Sequence, residues 1–191
     1  VYFNTYRLTQ ARRYFAQSLS FYTDIKDTAG MAEANYYIGT IYLEEQNLDS
    51  TLFFFNQSLQ FDMKLKKKDD IASSHNNIGV VHFLKHDYSK ALISYQRAIG
   101  VNDSGKRDLK ARSIYLNNIG NVHFETGKLN QALQYYSLSL QLKSKIKDES
   151  GIAISEHNIA NVYRKLKNFN KALEFFNSSI KRAERIENND I

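Results

Sequence analysis

Residues 117–136 read NNIGNVHFETGKLNQALQYY, and their pattern of small and aromatic residues recurs along the chain. A small residue recurs in steps of 40, 41 and 40 residues, at Gly39, Gly79, Gly120 and Ala160. A second small residue follows twelve positions later, at Thr51, Ala91, Ala132 and Ala172. Four positions beyond each of these the residue is aromatic: Phe55, Tyr95, Tyr136 and Phe176. A period of this length is typical of stacked helix pairs, so the sequence predicts an all-α solenoid.

The composition excludes several classes of protein. The 191 residues contain no proline, which favours uninterrupted helices, and no cysteine, which excludes disulfides and thiolate zinc sites. No apolar run approaches the roughly 20 residues that span a bilayer, so we expect no membrane contact by this segment. Because a chain without cysteine suits either compartment, the localisation stays open, with the cytoplasm slightly favoured over the periplasm.

The spacing of apolar residues predicts a right-handed superhelix of antiparallel helix pairs, with Gly79 and Ala91 where two helices approach closely. The first helices of the pairs are expected near 31–45, 71–85, 110–126 and 151–166. The second helices are expected near 48–67, 88–102, 129–147 and 169–187. We therefore interpret 1–191 as a single solenoid domain with repeats at 31–70, 71–110, 111–150 and 151–191.

Two segments depart from the regular repeat. Residues 1–8 align with residues 122–129. We therefore interpret 1–30 as a truncated repeat that keeps only half of its first helix, in a piece of a longer protein. Residues 100–105 are expected to interrupt a second helix, either as a bend or as a tolerated insertion. Gly105 is a candidate to end that helix, and Ser104 or Asp108 is a candidate to cap the next.

These residues resemble the tetratricopeptide repeat. The motifs that carry the resemblance are Asn77-Ile78-Gly79, Asn118-Ile119-Gly120-Asn121-Val122, Gly127 to Tyr136, and Lys171 to Phe176. The period is about six residues longer than the usual 34, and the proline that often follows the second helix is missing. Both features are similar to the long repeats of kinesin light chains and of bacterial sensor kinases and transcriptional regulators. The resemblance implies that the first helices line a concave face that binds a protein or a peptide.

Charge and histidine content do not indicate nucleic acid, metal or catalysis. The net charge of +6 is concentrated near helix ends, in 64–68 and at Lys143, Lys145 and Lys147. We interpret these lysines as solvated residues that complement the helix dipole, and we expect no nucleic-acid partner. His82 and His86 are four residues apart, but no third ligand lies near them in sequence, so we expect no metal and no cofactor. No catalytic motif has a suitable context, so we expect no enzyme.

The candidate binding site is a recurring stripe of amide and aromatic residues on the first helices. At about 100° per residue, the residues of each stripe share one helix face. Amide groups both donate and accept hydrogen bonds, so they can hold a peptide backbone whatever its sequence. The candidate peptide-binding residues are Tyr36, Asn76, Phe83, Asn117, Asn121, Phe124, His157, Asn161 and Arg164.

Other interpretations of the same residues stay open. Asn77, Asn118 and Asn158 are alternatively ties between neighbouring first helices, and the same applies to Asn117, Asn121 and Asn161. A clamp for a C-terminal carboxylate is not expected, because the early stripes lack lysine and arginine. The whole chain is alternatively a structural or oligomerisation spacer, or the sensor region of a bacterial signalling protein, without a peptide ligand. Self-association through the ends of the array is a further open alternative.

Overall fold

The computed structural model describes residues 2–104 and 108–189, which form nine α-helices and no strand. The helices are α1 (Tyr2–Asp24), α2 (Thr28–Glu44), α3 (Leu48–Leu65), α4 (Lys68–Leu84), α5 (Tyr88–Ser104), α6 (Leu109–Glu125), α7 (Leu129–Lys145), α8 (Glu149–Lys165) and α9 (Phe169–Asn189). The prediction of an all-α chain of helix pairs is confirmed.

The chain divides into two compact units, one ending at Gly105 and the other beginning at Lys106. In the first unit, α1 packs on α2, α2 on α3, α3 on α4, and α4 on α5. In the second unit, α6 packs on α7, α7 on α8, and α8 on α9. Each unit is therefore built from consecutive antiparallel helices with no additional layer.

The turns between helices repeat one backbone conformation. One residue of each turn is left-handed, at Lys26, Gln46, Lys66 and His86 in the first unit and at Gly127, Lys147 and Lys167 in the second. In the turn after α7, for example, Lys147 N–H donates to the Ser144 carbonyl and Asp148 N–H to the Lys143 carbonyl. This is the Schellman pattern, which satisfies the last carbonyls of a helix. Because these residues recur every 20 positions within a unit, one helix and one turn form half of the 40-residue repeat.

Side chains of Asp and Asn begin several of the helices. Asp27 accepts from the N–H groups of Ala29 and Gly30, and Asp148 accepts from Gly151 N–H. Asp108 caps α6 through the N–H groups of Lys110 and Ala111, as expected. These caps satisfy the orphan donors of a first turn and so fix the residue at which each helix starts.

In three of the helix pairs, an aromatic ring of the second helix packs directly on a glycine of the first. A Cβ atom built on Gly79 would lie 2.6 Å from a ring carbon of Tyr95, and one on Gly120 would lie 2.6 Å from Tyr136. Gly39 has the same relation to Phe55, also at 2.6 Å. Tyr95 is only 1% exposed and Ala91 is fully buried beside it. The prediction that Gly79 lies at a helix–helix contact is confirmed.

Aliphatic side chains fill the remainder of the core around these contacts. Phe55 and Leu59 of α3 cluster with Ile78 and Val81 of α4. In the second unit, the corresponding cluster contains Ala132, Tyr136, Ile159 and Val162. Each cluster joins a second helix to the first helix of the following pair, so burial links neighbouring pairs as well as partners within a pair.

Polar side chains are buried where a second helix meets the next first helix. The Ser74 hydroxyl donates to Asp62 Oδ2 at 2.9 Å, and Lys143 Nζ donates to the Ser155 hydroxyl at 3.0 Å. Lys143 is only 4% exposed, so the interpretation of this residue as a solvated helix end is wrong. Its aliphatic stem points into the seam between α7 and α8, and burial lowers the pKa of its ammonium group.

Several predicted boundaries also require correction. All four first helices start earlier than expected, at Thr28, Lys68, Leu109 and Glu149, whereas the second helices start at the expected residues. Residues 100–104 continue α5 instead of interrupting it, and Gly105 lies outside the described residues. Tyr2–Asp24 is one continuous helix, without the turn that the alignment of residues 1–8 with 122–129 requires. The lysine-rich run 64–68 spans the turn between α3 and α4, since α3 ends at Leu65 and α4 begins at Lys68.

We predict that Gly79→Ala destabilises the chain by about 1–3 kcal/mol, because the added methyl group overlaps the Tyr95 ring. Gly100→Ala is the matched control, since Gly100 is also helical and has no atom within 4 Å of the Cβ position. The control should be neutral or stabilising by up to about 1 kcal/mol, the difference in helix propensity. Urea unfolding followed by circular dichroism measures both. Equal effects of the two substitutions would contradict the packing described here.

A second prediction concerns pH. His123 is 8% exposed and stacks on Tyr135 with ring centroids 5.2 Å apart. Burial, with a smaller effect from Lys128, lowers the pKa of its imidazole. The unfolded state therefore binds the proton more readily, and stability is lost as the pH falls below about 6.5, the ordinary histidine value.

His123→Tyr should reduce this loss, because the equivalent positions of two other repeats carry Tyr42 and Tyr163. Melting temperatures of the parent and the variant are measured between about pH 8 and about pH 5.5. As the pH falls, the melting temperature of the variant should decrease less than that of the parent. Parallel curves for the two proteins would show that His123 does not contribute to the pH dependence.

Candidate functional site

All nine candidate residues from the sequence have solvent-accessible side chains. Tyr36, His157 and Arg164 are exposed, and the other six are half-buried. Tyr36 lies on α2, Asn76 and Phe83 lie on α4, and the remaining six lie on α6 and α8 of the second unit. The structure thus presents one group of candidates in each unit.

In the second unit, an amide pair connects α6 to α8. Asn158 Nδ2 donates to Asn117 Oδ1 at 3.0 Å. This bond is the tie between neighbouring first helices that was left open for both residues. It occupies one atom of the Asn117 amide and fixes the orientation of the group.

A second amide is oriented from within its own helix pair. The Tyr136 hydroxyl donates to Asn121 Oδ1 at 2.8 Å, while the ring of Tyr136 lies against Gly120. Burial raises the pKa of this hydroxyl, which therefore remains a protonated donor near neutral pH. With Oδ1 held by Tyr136, the Nδ2 group of half-buried Asn121 is the part of the amide that can donate to a ligand carbonyl.

The fourth repeat differs at the position equivalent to Tyr136. Phe176 stands there and has no hydroxyl to hold the half-buried Asn161. The ring of Phe176 instead contacts His157 edge-on, at 5.2 Å between centroids. Asn161 therefore keeps both the donor and the acceptor of its amide for other partners.

The apolar and charged candidates of the second unit lie at the C-terminal ends of α6 and α8. Lys165 Nζ lies 4.0 Å from the centroid of the Phe124 ring, a cation–π contact between the two helices. Arg164 is exposed beside it. This end of the second unit combines an aromatic surface with positive charge.

The first unit contains a cavity that the sequence did not predict. It has a volume of about 480 Å³ and is lined by residues of α1 to α4 and of the turns between them. Candidate Tyr36 lies on its wall, together with Tyr22, Glu33, Asp62, Asp70 and Asn77. The ring of Tyr22 closes on Gly30, where an added Cβ would lie 2.4 Å from a ring carbon.

Asp62 is the unusual residue of this cavity. Asp62 is only 6% exposed, and burial raises the pKa of its carboxyl group. The equivalent residue two repeats later is Lys143, whose partner Ser155 is likewise equivalent to Ser74. This reversal of charge at one repeat position, 81 residues apart, is the signal in the sequence that could have indicated the cavity.

The described part of the chain contains no group of three or more His, Cys, Asp or Glu side chains able to hold a metal ion. His86 Nδ1 lies 3.0 Å from the Tyr88 hydroxyl, and the buried Nδ1 of His82 has no hydrogen-bond partner. None of the described helices is both long and apolar enough to cross a bilayer.

Comparison with known sequences and structures also indicates a repeat protein built of helix pairs. Residues 111–185 match the sequence profile of the tetratricopeptide repeat family. No curated protein sequence matches the chain.

Three solved structures illustrate the fold. BtubC (BKLC) from P. vanneervenii is 13% identical, with a TM-score of 0.84 over 95% of this chain and 75% of that one. A Rap protein complexed with Competence and Sporulation Factor is 15% identical, with a TM-score of 0.81 over 98% of this chain and 52% of that one. The quorum sensor NprR from B. thuringiensis, in its apo form, is 23% identical, with a TM-score of 0.79 over 94% of this chain and 50% of that one.

The chain spans about half the length of the last two proteins. The sequence match lies within the second unit, and the structural matches cover nearly the whole chain. Residues 111–185 thus match tetratricopeptide repeats, and nearly the whole chain has the fold of solved structures with TPR-like repeats.

Proposed function

We propose that the chain is a non-catalytic module that binds an extended polypeptide, with Asn121 and Asn161 of the second unit contacting its backbone. The observation that carries this proposal is the Tyr136–Asn121 hydrogen bond. The Tyr136 hydroxyl occupies Asn121 Oδ1 and so orients an amide on an accessible helix face, which leaves Nδ2 as the donor for a ligand carbonyl. A fixed donor binds a carbonyl without the entropic cost of orienting a free side chain.

Neighbouring residues supply the other contacts that an extended segment needs. Asn117 is held in place by Asn158, and Phe124 offers an apolar surface with Lys165 over its ring. His157 and Arg164 are exposed at either end of the α8 stripe. In the first unit, Tyr36, Asn76 and Phe83 are proposed to form the corresponding surface.

The comparisons support a binding role at the level of the fold. The Rap protein of this fold is complexed with Competence and Sporulation Factor, and NprR is a quorum sensor. By analogy, we propose that the chain belongs to a larger signalling or regulatory protein. The competing role is that of a spacer in which the amides only join helices, as the Asn158–Asn117 bond does.

We predict that the double variant Asn121→Ala with Asn161→Ala binds its ligands at least about tenfold more weakly. Each lost hydrogen bond is worth about 0.5–1.5 kcal/mol, and 1.4 kcal/mol corresponds to a factor of ten. Peptides are first selected on the parent chain from a display library of random sequences. Dissociation constants of the recovered peptides are then measured by fluorescence anisotropy.

The matched control is Asn130→Ala with Asn170→Ala, which removes two exposed amides from the second helices α7 and α9. This control should bind like the parent. Because Asn121→Ala also removes the acceptor of Tyr136, circular dichroism must show that the double variant is folded at the assay temperature. Unchanged affinity of the folded double variant for every selected peptide would exclude the proposed contacts and favour the spacer role.

A further inference from the structure

A groove between α3 and α5, with α4 as its floor, lacks an aromatic ring that the other helix pairs carry. In three pairs, a ring of the first helix stacks on a ring of the second: Tyr42 on Phe54, His123 on Tyr135, and Tyr163 on Phe175. The centroids of these rings are 5.4, 5.2 and 5.7 Å apart. In the pair of α4 and α5, the equivalent residues are His82 and Ser94, so the second ring is replaced by a hydroxymethyl group.

Open space lies where the second ring stands in the other pairs. The groove has a volume of about 210 Å³, and His82, Ser94 and the buried Ile78 are among the residues that line it. A cavity of about 150 Å³ is sufficient for benzene, so the groove has room for one aromatic side chain. In the second unit, by contrast, the rings of Tyr163 and Phe175 pack on the core cluster and fill the equivalent place.

The polar end of the groove presents hydrogen-bond donors where the second unit has an acceptor. In the second unit, the Ser178 hydroxyl donates to Glu156 Oε1 at 2.9 Å. The residues 81 positions earlier are Arg97 and His75, which line the groove. Burial, followed by the charge of Arg97, lowers the pKa of the His75 imidazole. A carboxylate between these two side chains would accept from the imidazole N–H and from the guanidinium group.

The charge of the groove is also suited to an acidic ligand. Among the described residues that line it, none is Asp or Glu. Lys90 lines it as well and is bound to Asp87 at 2.9 Å. Arg97 is exposed on the wall and is therefore accessible to a carboxylate from solvent. The groove thus combines a place for one ring with a place for one negative charge.

The separation of these two places fits an extended polypeptide. His75 and His82 are seven residues apart on α4, and Ser94 and Arg97 are three residues apart on α5. These separations correspond to about 10.5 Å and about 4.5 Å along the helices. In an extended chain, side chains two positions apart point to the same side and lie about 6.8 Å from each other. An aromatic residue and an acidic residue with one residue between them therefore span the groove.

We infer that this groove binds a polypeptide segment in which an aromatic residue is followed two positions later by an acidic residue. The ring stacks on His82 in the space beside Ser94, and the carboxylate accepts from His75 and Arg97. This surface lies between the second helices α3 and α5, whereas the polypeptide contacts proposed above lie on first helices. The inference therefore goes beyond the proposed function and does not depend on it.

The first test uses the blocked peptide acetyl-Gly-Phe-Gly-Glu-Gly-amide and two matched peptides. One has leucine in place of phenylalanine, and the other has glutamine in place of glutamate. Each is titrated into the full chain and followed by NMR chemical shifts. The peptide with both groups should bind at least about tenfold more tightly than either of the others, with shifts concentrated in α3 to α5. Equal affinity for this peptide and either matched peptide, or no saturable shift with any of them, would overturn the inference.

Ser94→Phe tests the place for the ring. The added ring should stack on His82 as Phe54 and Phe175 stack in their pairs, and it should block the groove. We expect binding of the Phe-Gly-Glu peptide to weaken at least about tenfold, while the melting temperature stays equal or rises. Ser137→Phe is the control, since it adds the same ring to an exposed position of α7 and should bind like the parent. A lower melting temperature of Ser94→Phe would show that no room for a ring exists, and undiminished binding would show that the peptide lies elsewhere. Either result would contradict the inference.

Arg97→Gln tests the place for the carboxylate. This variant should bind the glutamate and glutamine peptides about equally, because the charge that distinguishes them is removed. Arg13→Gln is the control, since Arg13 is exposed on α1 outside the groove and its replacement causes the same change in charge. A preference for glutamate that survives Arg97→Gln, or that is lost in Arg13→Gln as well, would exclude the assigned carboxylate contact.

Two results separate this inference from the proposed function. Binding of the Phe-Gly-Glu peptide that is lost in Ser94→Phe but unchanged in Asn121→Ala with Asn161→Ala would support the groove, even if the contacts proposed for the second unit fail. Binding that is kept in Ser94→Phe but lost in the double variant would overturn the groove and assign the peptide to the second unit.

Discussion

A glycine that lets an aromatic ring lie on the backbone of its partner helix is the constraint on which the rest of the structure depends. Gly39, Gly79 and Gly120 each leave room for one ring, and a single methyl group at any of them would meet that ring at 2.6 Å. The contact sets the distance between the helices of a pair. In the third of these pairs it also sets chemistry, because the ring on Gly120 carries the hydroxyl that orients Asn121. Stability and the candidate binding surface are therefore coupled at Tyr136.

The seams between pairs leave more freedom to the sequence than the contacts within pairs. Inside a pair, a glycine or alanine lies against an aromatic ring. At the seam, where a second helix meets the first helix of the next pair, the buried residue is Asp62 in one unit and Lys143 in the other, each with a serine partner. Such polar seams satisfy buried groups without fixing one residue type. They are thus positions at which repeats of one fold can differ in charge, as Asp62 and Lys143 do in this chain.

The repeat period predicted the class of fold and the existence of the helix pairs, because glycine and aromatic residues mark the contacts that stacking requires. It predicted the starts of the second helices correctly but placed the starts of the first helices too late, since caps such as Asp27 begin a helix before its first buried residue. The sequence did not predict the burial of Lys143, because a lysine near a helix end looks the same in sequence whether its side chain is solvated or packed between two helices. The Tyr136–Asn121 bond joins residues 15 positions apart on different helices, and the sequence alone gives no sign of which side-chain atoms meet there.

The measurement that tests the central constraint most directly is a double-mutant cycle of Gly120→Ala with Tyr136→Ala, followed by urea unfolding. If the ring is what excludes a side chain at position 120, Gly120→Ala destabilises the parent by about 1–3 kcal/mol. In the Tyr136→Ala background the same change should become stabilising by up to about 1 kcal/mol, since only the helix propensity remains. A change of sign of this kind supports the glycine–aromatic contact as the basis of the pair. An equal cost of Gly120→Ala in both backgrounds would contradict it.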